Sequence, residues 1–229
     1  MLLLVTDTSG KDGFVGLVCA DDGSQPDAID VIEEVPLAGG TFSAQLVPQI
    51  SGLLAKHGLR KTDIGAFIVV SGPGSFTGLR VGLAAIKALA EILEKPIVPV
   101  SLLEVVVVAT GQSGRVLAAL DAGRGEVYVG EYAVEVKSVE LKEEQLVPRD
   151  RFVEMARNAA AATPDASLTE FAQAAGLSIH AIARPRSAMI GRAGLRRLAS
   201  DQTVTPEQLE ANYIRRSDAE IFSKPASGS

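Results

Sequence analysis

One unit occurs twice in this chain: an apolar strand ending on an aspartate, a glycine-bearing turn, and a second apolar strand. The first copy takes residues 2–6, the turn Asp7-Thr8-Ser9-Gly10-Lys11-Asp12-Gly13, and residues 14–20. The second takes residues 116–120, the turn 121–125, and residues 126–136. Leu4-Val5-Thr6-Asp7 matches Ala119-Leu120-Asp121, Gly10 matches Gly123, and Phe14-Val15-Gly16 matches Tyr128-Val129-Gly130. Apolar runs bounded by Gly, Asp and Ser read as strands joined by turns. The pair predicts an α/β chain of two lobes with like topology, each lobe holding a mixed sheet. The competing reading is that Asp and Gly suit any turn.

The rest of the pattern fills in each lobe. After a turn at 21–24, residues 28–36 read as a third strand. Ser43 can cap a helix over 43–58, with Leu46, Val47, Ile50, Leu53 and Leu54 on one face. Pro48 predicts a kink there or a later start. Residues 66–71 read as a buried strand, 76 to about 95 as a helix, and 97–100 as a strand. Ser101 can cap a helix through 108. Residues 159–162, followed by Pro164, read as a loose region, and 168–177 and 188–198 as helices. The expected division is an N-terminal lobe over 1–100, a C-terminal lobe over 101–221 whose last segment can return to the first, and a flexible tail over 222–229.

Composition narrows the function classes. Of 229 residues, 47% are hydrophobic and 22% charged, enough for a sizeable core; aromatics are 4% with no Trp, so Ala, Val, Leu and Ile build it. A net charge of −6 argues against the whole chain holding nucleic acid by phosphate neutralisation, leaving a local basic patch or a basic partner open. The single Cys19 excludes an internal disulfide, and the two distant histidines, His57 and His180, exclude a Cys/His zinc cluster. Both fit a reducing cytoplasm. Asp7 interrupts the first apolar run, so a signal peptide is not expected, and no run reaches the ~20 residues that span a bilayer.

Three features bear chemistry. Gly72-Pro73-Gly74-Ser75-Phe76-Thr77-Gly78-Leu79-Arg80 follows a strand and opens a helix, a place where backbone N–H groups suit an anion. It is neither a Walker A loop nor Gly-x-Gly-x-x-Gly. Close packing of its glycines on a neighbour is the favoured reading. Asp7, Thr8, Ser9 and Asp121 could hold phosphate and a magnesium-bound water between lobes, or simply bond their own turns. Neither histidine has a neighbour for nucleophilic work; His57 reads as a helix end, and Cys19 as a small core residue. The third feature is the helix 76–94. Leu79, Leu83, Ile86, Ala90 and Leu93 form one apolar stripe, and Val81, Ala85, Leu89 and Ile92 a second. A helix apolar nearly all round is buried on more than one side, by a second helix or by a partner. The alternative is burial wholly within this chain.

Gly-Pro-Gly-Ser-Phe-Thr-Gly-Leu-Arg-Val-Gly at 72–82 resembles the TsaB family, bacterial subunits of the machinery that makes threonylcarbamoyladenosine beside the anticodon of tRNA. Val5-Thr6-Asp7-Thr8-Ser9, Val98-Pro99-Val100-Ser101, Leu120-Asp121-Ala122 with Gly125-Glu126-Val127-Tyr128, and Tyr213-Ile214-Arg215 support the resemblance. It covers residues 1–135 and is thin over 136–205. It implies a two-lobed actin-like, sugar-kinase-like (ribonuclease H-like) fold and a cytoplasmic, non-catalytic subunit. That subunit pairs with a TsaD-like paralogue, recruits a TsaE-like ATPase, and meets tRNA only through the complex. The helices 43–58 and 76–94 would then pack side by side and face the partner, with Leu46, Ile50, Leu53, Phe76, Leu79, Leu83, Ile86 and Leu89 as candidate contacts. No catalytic residue and no cofactor is expected in the isolated chain, with ATP or ADP only in the complex. TsaD-type chains carry paired histidines where this chain reads Thr41-Phe42-Ser43-Ala44-Gln45, so no metal site is expected. The chain departs from the family at Gly123-Arg124, where Arg normally follows Ala directly, and shows no glycine-rich adenosine loop in its second half. The alternative is an actin-like ATPase or phosphotransferase using Asp7 and Asp121. Homodimerisation of the isolated chain stays open.

Overall fold

The computed structural model describes residues 1–20, 28–135 and 138–215. The expected turn at 21–24, the end of the strand at 136 and the tail at 222–229 lie outside them. The first sheet holds β1 (Leu2–Asp7), β2 (Gly13–Ala20), β3 (Ile29–Leu37), β4 (Ile64–Gly72) and β5 (Ile97–Ser101) in the order β3-β2-β1-β4-β5. β1 runs antiparallel to β2 and parallel to β4. The second sheet holds β6 (Gly114–Gly123), β7 (Glu126–Val134), β8 (Val139–Pro148), β9 (Ala160–Thr163) and β10 (His180–Ala181) in the order β10-β9-β6-β7-β8. Six helices are α1 (Phe42–Lys56), α2 (Phe76–Leu93), α3 (Leu102–Ala109), α4 (Arg149–Ala156), α5 (Ala166–Ala174) and α6 (Ser187–Ala199) among the described residues. Three strands, then helix, strand, helix, strand, helix: the series runs twice, so the paired hairpins are equivalent units of a duplicated fold. Parallel β1, β4 and β5 need crossover helices on the sheet. Their uninterrupted apolar sequences meet cover on both faces.

The helix closing each series covers the other series' sheet. α3 follows the first sheet but packs on β6 and β7, and α6 follows the second but lies across β1, β2, β3, β4 and β5. The two helices touch each other, and Arg197 of α6 pairs with Glu104 of α3. One core therefore runs through the centre, from Val5 and Ile68 through Leu103, Val106 and Ile190 to Ala118 and Tyr132. Two smaller cores lie outside it: α1 and α2 against the first sheet, and α4 and α5 against the second.

Four local expectations change. Ser43 does not cap α1: Thr41 holds that position, and its hydroxyl donates to the Ala38 carbonyl at 2.8 Å. α1 also starts before Pro48, which sits on the exposed side, where water can serve the carbonyl that loses its donor. Residues 159–162 are not loose. Ala160–Thr163 form a buried strand parallel to β6, because small side chains fit between packed layers whatever their strand propensity. Cys19 is exposed, not core, since it faces away from the central core that Val18 and Ala20 enter.

Candidate functional site: the α1/α2 face and the interlobe cleft

The glycine loop is built to lie on the first turn. The Ser75 N–H donates to the Ser9 carbonyl at 2.7 Å, and the Ser75 hydroxyl accepts from the Gly78 N–H, capping α2. A Cβ at Gly74 would stand 2.2 Å from the Ser9 carbonyl oxygen, one at Gly78 2.1 Å from that of Thr8, and one at Gly82 2.1 Å from Thr8 Oγ1. The glycines therefore admit a neighbouring backbone, the favoured reading of the sequence.

Both aspartates bond their own turns, and Asp121 bonds two distant segments as well. Asp7 is 4% exposed, and its Oδ1 accepts from the Ser9 N–H at 2.8 Å and the Ser9 hydroxyl at 2.6 Å. Burial pushes the Asp7 carboxyl up from its ordinary range, against the pull of Ser9, Arg184 and Arg186. Asp121 accepts from the Gly123 N–H, the Arg149 guanidinium and the Ser167 hydroxyl, each at 3.0 Å. Burial raises its carboxyl, but these partners together hold it below the usual carboxylate range. A cleft of about 1230 Å³ separates the lobes; Ser9, Asp121, Arg124 and Arg184 line it, while Asp7 and Thr8 lie behind the turn. Arg124 takes a left-handed conformation, φ 56°, between Gly123 and Gly125, so this turn presents it to the cleft.

The end of the described chain ties the lobes together. The Asn212 N–H donates to the Ser71 carbonyl at 2.7 Å, and its side-chain amide donates to Glu144. The other Glu144 oxygen accepts from the Ser101 hydroxyl at 2.5 Å and the Tyr132 hydroxyl at 2.6 Å. The Ser101 hydroxyl thus serves Glu144 and not the start of α3. Tyr213 stacks on Phe76 with centroids 4.9 Å apart, and Arg215 pairs with Glu126. Nothing in the sequence signalled Glu144; Tyr213 and Arg215 stood out only as part of a motif.

α1 and α2 lie side by side on the outer face of the first sheet. Their inward rows hold Leu46, Ile50, Leu53, Leu79, Leu83 and Ile86, all buried in the chain's own core. These six of the eight candidate contacts are thus internal, because residues spaced three and four apart on these helices point at the sheet. Phe76 and Leu89 are half-buried. The second stripe is not the outward surface: Val81, Ala85 and Leu89 are half-buried against the core of α1 and α2, and the exposed row is Ala84, Ala88 and Ile92, the last 78% exposed and the one residue it shares with that stripe. Val47, 41% exposed, with Ala44, Pro48 and Gly52, continues the exposed row on α1.

A family model described as "TsaD: tRNA N6-adenosine threonylcarbamoyltransferase" matches residues 36–189. The chain is similar to the tRNA threonylcarbamoyladenosine biosynthesis protein TsaB of Escherichia coli, 40% identical over 91 residues, 38% of this chain and 39% of that one. It is similar also to TsaB of Bacillus subtilis, 33% identical over 134 residues, 58% of this chain and 55% of that one. The aligned part spans about half the length of these curated relatives. Among solved structures, YeaZ from Pseudomonas aeruginosa superposes with a TM-score of 0.73 at 24% identity, over 93% of this chain and 99% of that one. That likeness carries the fold, two lobes of the actin-like, ribonuclease H-like class. The chain belongs to the family that the matching model describes, tRNA N6-adenosine threonylcarbamoyltransferase, and stands there with the TsaB proteins.

Proposed function

We propose that this chain is a non-catalytic subunit of tRNA threonylcarbamoyladenosine biosynthesis in the cytoplasm. It pairs with a TsaD-like paralogue through the outward face of α1 and α2, and reaches a TsaE-like ATPase and tRNA through that partner. The observation that carries this reading is the outward stripe of Ala84, Ala88 and Ile92 beside Val47. Small side chains let a partner helix approach closely, and apolar area removed from water gives roughly 25 cal/mol per Å² before association costs. The Asp121 carboxylate supports the non-catalytic part: both of its oxygens already accept, from Gly123, Arg149 and Ser167, whereas metal-assisted phosphoryl chemistry needs donors with free oxygens. A nucleotide, where one is involved, belongs to the complex.

The test is co-elution of this chain with the TsaD-like paralogue of the same genome. Ala88→Glu and Ile92→Glu should abolish co-elution while melting stays unchanged, since both positions are exposed and a charge buried in an apolar seam costs several kcal/mol, roughly. Co-elution that survives both substitutions overturns the surface. Steady ATP turnover by the isolated chain, lost in Asp121→Ala, overturns the non-catalytic role.

A further inference from the structure

We propose that Arg80, clamped by Phe76 and Tyr213, is the fixed docking point for a carboxylate side chain of the partner subunit. This rests on the pairing proposed above and adds to it the chemistry of the contact. The Arg80 guanidinium lies 3.7 Å from the centroid of the Phe76 ring, and its Nε donates to the Tyr213 hydroxyl at 3.1 Å. Tyr213 is itself held, since its neighbour Asn212 is bonded to Ser71 and Glu144. Residues from α2 and from the far end of the chain thus fix one exposed cation.

Among the described residues, Arg80 has no carboxylate partner. Arg115, Arg149, Arg186, Arg197 and Arg215 each have one. With one face of the guanidinium covered by the Phe76 ring and Nε engaged, the two terminal amino groups form a fork matched to a carboxylate. The arginine's conformational entropy is already spent in the free chain, so a partner gains the contact at low ordering cost. Clustered Arg, Tyr and Phe are the composition of an interface hot spot.

Position selects a protein carboxylate over a free anion. Arg80, Ala84, Ala88 and Glu91 fall within one arc of α2, all exposed. A helix lying on the two alanines would carry its side chains past Arg80 and exclude water from the pair. Glu91 on the same line makes a second copy of this chain, laid antiparallel, the competing occupant.

The experiment titrates the TsaD-like paralogue onto wild-type chain, Arg80→Glu, Arg80→Lys and Tyr213→Phe, with melting of each variant as the folding control. Arg80→Glu should weaken pairing by about 100-fold or more, the usual loss when one member of a desolvated charge pair is reversed. Arg80→Lys keeps the charge but loses the fork and should weaken pairing about 10-fold. Tyr213→Phe keeps the stack, frees Nε, and should weaken it by a smaller factor. An Asp or Glu on the paralogue's matching helices, changed to Arg, should restore binding to Arg80→Glu. Wild-type affinity in both Arg80→Lys and Tyr213→Phe overturns the inference even if Arg80→Glu fails to fold. Restoration by Glu91→Arg in this chain, with loss confined to self-association, assigns the site to a second copy and also overturns it. No pairing by the wild-type chain overturns the pairing itself, and this inference with it.

Discussion

Asp7 carries opposing demands in one carboxylate. It must accept two hydrogen bonds from Ser9 and does so while almost wholly buried. Its raised pKa means the folded state favours the protonated form, so its contribution to stability is fully present below the ordinary value of 3.8 and is lost as pH rises through the folded value. Asp7→Asn keeps an oxygen for Ser9 and removes the charge. Urea denaturation across pH should therefore show the variant gaining on the wild type as pH rises above about 4. Asp7→Ala should instead lose about 1–3 kcal/mol, because the Ser9 donors are left without an acceptor. A wild type that gains on Asp7→Asn with rising pH would refute this account. At this scale the sequence located Asp7 and Asp121 at strand ends but could not show whether their oxygens were free. That depends on Ser9, Arg149 and Ser167, partners supplied in part by distant segments.

The elements of the first lobe were legible because their signals are strong and local. The loop 72–78, the apolar stretch of β4 and the two stripes of α2 can each be read from spacing alone. Which stripe of α2 faces the sheet could not be read, because both are apolar and only the packing of α1 and β4 separates them. β9 is not legible in the sequence because Ala160–Thr163 is four residues long and strand-poor by composition; only its slot beside β6 makes it a strand. Two helical glycines differ in a testable way, one against a neighbouring backbone and one in open space. Gly78→Ala forces a Cβ onto the Thr8 backbone and should cost about 1–3 kcal/mol, with the Thr8 turn displaced. Gly52, within α1, has no atom within 4 Å of a Cβ position, so Gly52→Ala should stabilise the chain by about 0.5–1 kcal/mol. Both are read from urea midpoints at unchanged slope. Should Gly52→Ala also weaken pairing, the partner helix approaches α1 at that point.

At the scale of the molecule, the exchange of α3 and α6 makes each sheet depend on the other series for its inner cover. Neither sheet can lose that cover without exposing the central core, so the two lobes should unfold in one transition. The duplication was visible from the hairpins, but this exchange was not, because nothing in the periodicity of α6 says which sheet it will meet. Glu144 adds a polar tie across the same boundary: it joins β8 to the end of β5, to Tyr132 of β7 and to Asn212 of the terminal segment. Burial, and then the Glu144 charge, push the Tyr132 hydroxyl up, so it stays a donor at any ordinary pH. Glu144→Ala removes the acceptor shared by three donors, one of them on a side chain 2% exposed. The loss should be about 3 kcal/mol, a fall in Tm of roughly 6–12 °C for a chain of this size. Scanning calorimetry should show one transition moved down, and hydrogen exchange should quicken at the Asn212 amide. If the endotherm splits in two, the lobes are joined by Glu144 more than by the exchanged helices. If Tm holds while only Asn212 exchanges faster, the carboxylate fastens the terminal segment and adds nothing to the joining of the lobes.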